Sequence, residues 1–590
     1  MIKYIVLFYF VIFSVWAENN YFESNFKKND LNFLKKKWVY KSNIFKDTQT
    51  KPSIINDKIV YLDGYKNLRV ISLFDGEFIC MNQGKKDRGF HRGIGIYKKN
   101  EKENYAVFVR HGSIKLVNIS TCKEKKHKIP KVTDAPISAP IYINNNVAFV
   151  LPNGGRPFAI DLDKEEILWK ASFAKKDFGK IKKQNLMKDI RWDVWGGGVI
   201  DLKYNQLIFS TANAKPSWHS KGRLGPNLLF NSVVSIDLKT GIYKWHFQEI
   251  EHDLWNLDLA APPILLDLEN TELVAQATKT GQLILLNRKD GNPTEKIIEK
   301  KFDFESDNKK TYSIFRYFPD WLQYSRGFFL QNDINSLNSE YSTEARRKIN
   351  SSKFGDYIPL GKNKKFIYYG IHGGTQWPGI ASTPNGIVII PSNNIAYRVK
   401  LKDPAEFDFR KEFIELFTRI LNIKLFNFLE FKQSVKQILK QSKKIINFNS
   451  VDIEKWEKFT NKDGIPLNNH PWGVLVAIDV KNKIKKWEVP HGSYPQLKNS
   501  NIETGSEIFG SPIILSTGIV FIAGTDDKKI RAYSIDNGEK LWEDKLPFSS
   551  YGSLVVAEFE DRQFLIVNSS SGANFDSSSG DAIVAYELSK

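Results

Sequence analysis

Residues 235–245 read SIDLKTGIYKW and combine a β run that ends on Asp237, a turn with Thr240 and Gly241, and a second run that closes on Trp245. Apolar residues alternate on both sides of the turn, which is the pattern of an antiparallel hairpin and not that of a helix. Glycine in the turn supplies the positive φ that a tight hairpin connection needs. The segment therefore predicts a small antiparallel sheet.

The same unit recurs along the chain. Its copies run from Ala159-Ile160-Asp161 to Trp169, from Ala477-Ile478-Asp479 to Trp487 and from Ala532-Tyr533-Ser534 to Trp542, with weaker copies at Val70 to Cys80 and Leu285 to Gly291. One such sheet alone exposes an apolar face, and radial stacking around an axis buries that face and leaves only short edges. The repeats predict an all-β chain folded as a β-propeller, in which the terminal tryptophan wedges between neighbouring blades.

Two segments, residues 296–370 and 400–465, interrupt the repeats. The second contains an amphipathic stretch from about Pro404 to Ile446, whose apolar residues recur at helical spacing. We predict that both segments are insertions over one face of the propeller and that the helix packs on its own domain. Contact of this Phe-, Leu- and Lys-rich helix with a membrane surface is the alternative.

The first residues have the pattern of an export signal. Lys3 gives a positive start, Tyr4 to Phe13 is an apolar run, and Val15-Trp16-Ala17 offers small residues for cleavage. The predicted domains are a signal peptide over residues 1–17 and one propeller domain over residues 18–590. An uncleaved membrane anchor is the alternative, although the run is shorter than the roughly 20 residues that a membrane span requires.

Charge and cysteine content narrow the function. The net charge of +20 would suit nucleic acid or anionic lipid, but the lysines are spread along the chain beside Asn and Ile, which favours solvated loops, so no nucleic acid is expected. Cys80 and Cys122 are the only cysteines and are free to pair or to stay apart. The sequence lacks Cys-x-x-Cys-His, so redox chemistry would need an external electron carrier.

Several motifs together resemble the pyrroloquinoline quinone (PQQ) dependent dehydrogenases, over nearly the whole chain after residue 17. The motifs are Trp195-Gly196-Gly197-Gly198, Thr211-Ala212-Asn213, His252-Asp253-Leu254-Trp255 and Lys279-Thr280-Gly281. The segments His470-Pro471-Trp472-Gly473, Phe509-Gly510-Ser511-Pro512 and Gly580-Asp581 are most similar to the glucose dehydrogenase type. The resemblance implies an eight-bladed β-propeller, PQQ as cofactor with a calcium or lanthanide ion, and oxidation of alcohols or sugars in the periplasm.

The resemblance also implies cofactor-binding residues. Trp195 matches the tryptophan that stacks on the cofactor, Arg92 matches an Arg-Gly motif that binds its polar groups, and Lys279 matches a cation beside the quinone. Gln376 and Trp377 fall where many members carry Asn-Trp beside the cofactor. The alternatives are a blade-packing role for Trp195, a surface ion pair for Arg92 and a plain strand-end pair at 376–377.

Metal binding and catalysis depart from the family pattern. The family supplies a Glu, an Asn and a base Asp as ligands; Asn213 matches the Asn, whereas the Glu position falls in Asn153-Gly154-Gly155-Arg156. Asn256 stands where the family has the base Asp, and an amide ligates a cation but accepts no proton at neutral pH. Asp258, on the same side of an extended segment, is the candidate substitute base and metal ligand, with a structural role as the alternative.

Three functions compete. The first is an exported dehydrogenase that oxidises a sugar or alcohol by hydride transfer to the quinone and passes electrons to ubiquinone or a cytochrome. The second is a propeller that binds PQQ or another ligand without turnover, as Asn256, Arg156 and the lack of a histidine in the loop of residues 570–574 suggest. The third is a non-enzymatic scaffold for outer-membrane protein assembly. The matching pocket residues favour the first.

Overall fold

The computed structural model describes residues 19–84, 91–172, 192–220, 223, 225–306, 309–360, 364–401, 453–497, 502–571 and 580–588. Within these ranges the regular structure is almost entirely β, with one α-helix at Ser339–Asn350 and short 3-10 turns at Lys28–Phe33, Asp320–Leu322 and Pro495–Leu497. The predicted all-β class is confirmed. The predicted signal peptide lies outside the described residues, and so does the predicted helix from Pro404 to Ile446.

Eight sheets built mainly from consecutive antiparallel strands form the body of the described chain, numbered here in chain order. Sheet 1 contains Ser53–Ile55, Lys58–Leu62, Leu68–Ser72 and Phe78–Asn82; sheet 2, Gly95–Lys98, Asn104–Arg110 and Ser113–Asn118; sheet 3, Tyr142–Asn144, Val147–Val150, Phe158–Asp161 and Glu166–Lys170; sheet 4, Gly198–Asp201, Gln206–Ser210, Ser232–Asp237 and Tyr243–Gln248. Sheet 5 contains Ile264–Leu268, Thr271–Ala277 and Leu283–Asn287; sheet 6, Ala381–Ser382, Ile387–Asn393, Gly473–Asp479 and Ile484–Pro490; sheet 7, Ile513–Leu515, Ile519–Ile522, Lys529–Ser534 and Lys540–Lys545; sheet 8, Val555–Phe559, Arg562–Ser571 and Gly580–Glu587. The propeller architecture is confirmed, and the number of eight blades stays a prediction.

Strands from the start of the chain complete the last two sheets. Lys36–Lys41 pairs antiparallel with Gly580–Glu587 in sheet 8, and Tyr21–Phe22 pairs parallel with Ile513–Leu515 in sheet 7. Joining the two ends of the chain in this way closes a ring of sheets and covers edges that would otherwise stay unpaired.

Tryptophan rings join neighbouring sheets, as predicted. Each ring lies against a glycine in a turn of the following sheet, where an added Cβ would come within 3 Å of the ring. The pairs are Trp169–Gly241, Trp245–Gly291, Trp487–Gly538 and, between sheets 8 and 1, Trp38–Gly76. Three of these indoles also donate a hydrogen bond to a backbone carbonyl of that sheet: Trp38 to Leu73, Trp169 to Leu238 and Trp487 to Ile535.

Additional strands account for the interrupted repeats. Ile250–Glu251, Ile298–Ser306 and Lys309–Tyr317 form a three-stranded sheet, and Ser352–Lys353, Lys365–Tyr369, Ala396–Leu401 and Ile453–Lys458 form a four-stranded one. The α-helix Ser339–Asn350 was not predicted, because it buries only Ala345 and Ile349 and so has little apolar periodicity. Its start is nevertheless capped by Asn338, whose side chain accepts a hydrogen bond from the Tyr341 N–H.

Short paired segments and one disulfide complete the structure. Asn153–Gly155 pairs with Trp192–Asp193, and Gly510–Ser511 pairs with Gly552–Ser553. Cys80 and Cys122, which the sequence left open, form a disulfide between sheets 1 and 2. Among the residues that the structure describes, no helix is long and apolar enough to cross a membrane.

We expect Gly241→Ala to lower the free energy of unfolding by ~3 kcal/mol, because the new Cβ would displace the Trp169 ring and because φ is +67° at this position. Gly518→Ala is the matched control: its φ is +84°, but the atom nearest to an added Cβ lies 3.3 Å away. Backbone strain alone should then cost ~1 kcal/mol. Urea unfolding measures both losses, and equal losses would contradict the wedge role of Trp169.

Candidate functional site

The predicted site residues come from equivalent positions in several sheets. Arg92, Trp195 and Trp377 precede the first strands of sheets 2, 4 and 6, whereas Asn213 and Lys279 follow the second strands of sheets 4 and 5. Because the first two strands of each sheet are antiparallel, the start of one and the end of the other lie at the same edge. The fold therefore gathers these side chains at one end of the propeller.

Aromatic rings form the centre of the site. The rings of Trp195 and Trp377 lie 6.3 Å apart, and Phe509 lies 4.9 Å from Trp377. The glycine after Trp195 lets its loop approach closely, since a Cβ at Gly196 would lie 2.1 Å from the carbonyl oxygen of Ala260. The structure thus places the two predicted indoles side by side.

Two cations lie against these rings. The Arg92 guanidinium is 5.1 Å from the Trp195 ring and 4.7 Å from the Trp377 ring, and the Lys279 ammonium is 5.4 Å from the Trp195 ring. Arg92 also donates hydrogen bonds to the Trp195 carbonyl and to Gln49. Burial lowers the pKa of Arg92 to about 9, so it stays protonated at neutral pH. Two cationic groups therefore contact the Trp195 ring, and Arg92 contacts the Trp377 ring as well.

The loop of residues 252–258 is held by its own side chains. The Asp253 carboxylate accepts hydrogen bonds from the backbone N–H groups of Trp255, at 2.7 Å, and Leu257, at 2.8 Å. The Trp255 ring is fully buried and donates to the carbonyl of Ile358. The His-Asp-x-Trp motif thus fixes the loop that carries Asn256 and Asp258.

The segment from Asn256 to Asp258 is not extended, so this part of the sequence-based prediction is wrong. Asn256 has a φ of +60°, in the left-handed region that asparagine tolerates better than most residues, and the chain turns there. Both residues nevertheless meet at Lys279, whose ammonium donates to the Asn256 carbonyl at 3.1 Å and to the Asp258 carboxylate at 2.7 Å.

Asp258 is a buried and ionised carboxylate. Burial opposes its ionisation, but the charges of Lys279 and Lys215 and a hydrogen bond from the Asn213 N–H outweigh burial and lower its pKa. The Asn213 N–H lies 2.7 Å from the carboxylate. Asp258 therefore carries a negative charge at neutral pH, next to the predicted cofactor residues.

Two residues near Asn213, namely Lys215 and Asp193, were not predicted from the sequence. The Asn213 side chain is fully buried, its amide oxygen lies 3.4 Å from the Lys215 ammonium, and its amide nitrogen has no hydrogen-bond partner among the described residues. Lys215 also lies 3.9 Å from the carboxylate of Asp193. Burial raises the pKa of Asp193; Lys215 opposes this rise and the charge of Asp258 adds to it. No sequence motif marks Asp193. Its position near Asn213 becomes visible only in the structure, through the pairing of residues 153–155 with 192–193.

Gln376 is buried, but its side chain donates to the Gly373 carbonyl of its own loop. Within the described part of the chain, no hydrogen bond or ion pair joins this side chain to the other predicted site residues. Its loop still packs on Lys279, since a Cβ at Gly374 would lie 2.8 Å from the Lys279 Cα. Trp377 therefore contacts the aromatic rings of the site directly, whereas Gln376 is connected to the site only through the packing of its loop on Lys279.

These residues fit a planar, anionic quinone. A cavity of about 320 Å³ adjoins the site and is lined in part by Arg92, Gly196 and Trp377, whereas Trp195, Lys279 and Asp258 are not among its lining residues. Its volume lies at the lower end of the range for small-molecule sites. Two indoles offer stacking surfaces, and Arg92 offers a positive charge for a carboxylate of such a ligand, whereas the charge of Lys279 is already paired with Asp258.

The site offers fewer features for a metal cation that binds through oxygen ligands. The Asn213 amide oxygen, the Asp258 carboxylate and the backbone carbonyl of Asn256 are hard oxygen donors of the kind that calcium prefers, while ligation by the Asn256 side chain stays a prediction. The described residues contain no cluster of three or more His, Cys, Asp and Glu side chains with metal-binding geometry. A metal would therefore depend on the buried amide of Asn213 and on oxygens beyond the predicted ligands.

Known proteins match this chain along most of its length. The family model "PQQ: Glucose/ethanol/alcohol dehydrogenase, beta-propeller domain" matches residues 107–565. The chain is 24% identical over 481 residues to the quinate/shikimate dehydrogenase (quinone) of Acinetobacter baylyi and 22% identical over 477 residues to the quinoprotein glucose dehydrogenase of Escherichia coli. Each match covers 78% of this chain and 57% of the relative, so the chain spans little more than half of their length.

A solved structure matches more completely. The structure titled "Europium-containing methanol dehydrogenase" has a TM-score of 0.64 and 14% sequence identity, and the match covers 97% of this chain and 96% of that one. At this identity the likeness bears on the fold alone, and it agrees with the propeller described above.

We expect a pH-dependent stability from Glu249, which lies beside the Lys279 loop and accepts hydrogen bonds from Thr280 and Gln282. Burial raises its pKa to about 7 from the ordinary 4.5. The folded state therefore favours the protonated form, and the free energy of unfolding should fall by ~3 kcal/mol as the pH rises from about 4.5 to about 7.

Glu249→Gln should remove this part of the pH dependence, as measured by urea unfolding across that range. Glu269→Gln, at a side chain that is 78% exposed, is the control. An unchanged slope in Glu249→Gln would disprove the assignment.

Proposed function

Since the chain belongs to the PQQ-dependent glucose/ethanol/alcohol dehydrogenase family with a β-propeller domain, we propose that it oxidises a sugar or alcohol hydroxyl with PQQ as cofactor. The observation that carries the proposal is the buried Lys279–Asp258 ion pair beside Trp195, because it combines a cation, a carboxylate and an aromatic surface. When bound, PQQ supplies a two-electron acceptor for the hydride of the substrate.

The aromatic and cationic residues serve as the cofactor's binding surface in this proposal. Trp195 and Trp377 offer flat faces for a tricyclic ring, and Arg92 offers a planar fork that suits a carboxylate. Lys279 stabilises negative charge that develops on the ring. A calcium or lanthanide ion would be held by Asn213, Asp258 and the Asn256 oxygen.

Asp258 accepts the hydroxyl proton in this proposal, because the amide of Asn256 has no basic lone pair for it. The charges that keep Asp258 ionised also lower its proton affinity. It is therefore a weak base that stays deprotonated well below neutral pH. In this proposal the chain is exported to the periplasm. Because the printed sequence has no covalent haem motif, its electrons pass to ubiquinone or a c-type cytochrome.

A second candidate function is PQQ binding without turnover. Two observations favour it: the side chain at position 256 is an amide, and the Asp258 carboxylate is already engaged by Lys279 and by the Asn213 N–H. The non-enzymatic scaffold gains no such support, because it requires no cluster of Arg92, Trp195 and Lys279. Binding and turnover must therefore be measured separately.

We expect the protein to bind PQQ in the presence of calcium or a lanthanide, with saturable quenching of tryptophan fluorescence. Trp195→Ala should weaken binding by roughly thirtyfold, which is ~2 kcal/mol of lost stacking and buried apolar surface. Trp456→Ala, at a ring that is 41% exposed, is the control and should bind normally. Equal affinities of the two variants would contradict the place of Trp195 in the site.

We expect the loaded protein to reduce an artificial acceptor dye with at least one of a panel of sugars and alcohols. Asp258→Asn should lower the rate by about 10²–10⁴-fold, as for the loss of a general base. The rate should not fall between pH 7 and pH 5 through Asp258, whose pKa is lowered. The stability of Asp258→Asn should also be measured by urea unfolding, because the substitution leaves the buried charge of Lys279 unpaired.

Asn256→Asp separates the two candidate functions. If the parent binds PQQ but is silent and Asn256→Asp gains activity, binding without turnover is correct for the natural chain. If Asp258→Asn keeps the full rate, Asp258 is not the base.

A further inference from the structure

We propose that Asp193 supplies the carboxylate ligand that residues 153–156 lack, and that Asp193, Asn213 and Asp258 form a cation site at which the Lys215 ammonium lies. The proposal deepens the proposed function, on which the presence of a metal rests. Its new content is one ligand, Asp193, and one competing internal cation, Lys215.

Strand pairing brings Asp193 to the segment that lacks the carboxylate. Asn153–Gly155 runs antiparallel to Trp192–Asp193, and Asn153 is the register partner of Asp193. A Cβ at Gly154 would lie 3.6 Å from an Asp193 carboxylate oxygen, with no other heavy atom within 4 Å. The carboxylate therefore lies directly beside the position where the family pattern has its glutamate.

Backbone contacts join Asp193 to the other two oxygen donors. The Asp193 carbonyl accepts a hydrogen bond from the Ala212 N–H at 2.9 Å, next to Asn213. The Asn213 N–H in turn donates to the Asp258 carboxylate at 2.7 Å. Three oxygen-bearing side chains from three loops are thus held in one place by the main chain and by Asp258.

The Lys215 ammonium lies within 4 Å of oxygens from Asn213 and Asp193. It lies 3.4 Å from the Asn213 amide oxygen, 3.9 Å from an Asp193 carboxylate oxygen and 3.0 Å from the Ser217 hydroxyl. Its charge also acts on Asp258. A positive group therefore already lies beside the Asp193 carboxylate and the Asn213 amide oxygen, and it acts on Asp258 through its charge.

Two further observations favour replacement of this ammonium by a metal ion. The Lys215 side chain is 58% exposed, so it can swing into water without losing a buried environment. The Asn213 amide is fully buried, and its oxygen, the atom that could ligate a cation, faces the Lys215 ammonium at 3.4 Å.

Terbium binding tests the proposal directly. Tb³⁺ carries the charge and oxygen preference of the lanthanides, and Trp195, two residues from Asp193, would sensitise its luminescence. We expect saturable luminescence on excitation of tryptophan, competition by Ca²⁺, and a weaker signal in Trp195→Phe, in which Trp192 still sensitises the ion, while calorimetry detects unchanged binding. Absence of Tb³⁺ binding by the natural chain would overturn the proposal.

Variants then test whether Asp193 is a ligand of the ion and whether Lys215 competes with it. Asp193→Asn should weaken Tb³⁺ binding by about a hundredfold, because it removes a charged ligand, and Lys215→Met should tighten it by about tenfold, because it removes a competing charge. Asp303→Asn and Lys301→Met are matched controls at an exposed ion pair and should leave binding unchanged. Binding by Asp193→Asn equal to that of the natural chain would disprove the ligand, and unchanged binding by Lys215→Met would disprove the competition.

The measurements need neither PQQ nor substrate, so they separate this proposal from the proposed function. If Asp193→Asn no longer binds Tb³⁺ and the natural chain never reduces the dye, the cation site is supported and the proposed dehydrogenase function is refuted. If the natural chain reduces the dye and Asp193→Asn binds Tb³⁺ normally, the enzyme stands and the ligand assignment falls. Thermal unfolding confirms that Asp193→Asn is folded.

Discussion

The contact between an indole ring and a glycine of the next sheet is the interaction on which the rest of this molecule depends. At Gly241, Gly291 and Gly538 the ring occupies the space that a side chain would need. The contact fixes the spacing of adjacent sheets. Because the sequence unit repeats, the same contact recurs between several pairs of neighbouring sheets in the propeller. Strand edges that face one end of the propeller are thereby held at fixed distances, and the loops from these edges bring distant residues together.

The site uses this arrangement to hold charge in a buried place. Lys279 and Asp258 form an ion pair with both side chains almost fully buried, and each also contacts the backbone or a ring of another loop. A buried pair costs desolvation that only good geometry offsets, and loss of one partner leaves an uncompensated charge. Such a pair adds little to stability, and in the proposed function both charges serve the bound cofactor.

Sequence reasoning succeeded where one residue type has few uses. A tryptophan after a hairpin, a glycine at a positive φ and an Asn at a strand end each have a small set of roles. The structure brings Trp195, Asn213 and Lys279 close together, while their roles stay predictions. Sequence reasoning failed at Asn256, whose left-handed backbone turns a segment that was expected to be extended. It also missed Asp193, Lys215 and Glu249, because burial, strand pairing and ion pairs between distant residues leave no local pattern.

The sequence by itself determined the all-β repeats, the wedge tryptophans and the family, because alternation, turn residues and short motifs are local properties of the chain. Only the tertiary structure decided that Asp258 is ionised, that Lys279 joins it to Asn256, and that Asp193 lies across from the segment without a carboxylate. Electrostatics and register depend on distances between residues far apart in sequence, and those distances exist only once the ring of sheets has closed.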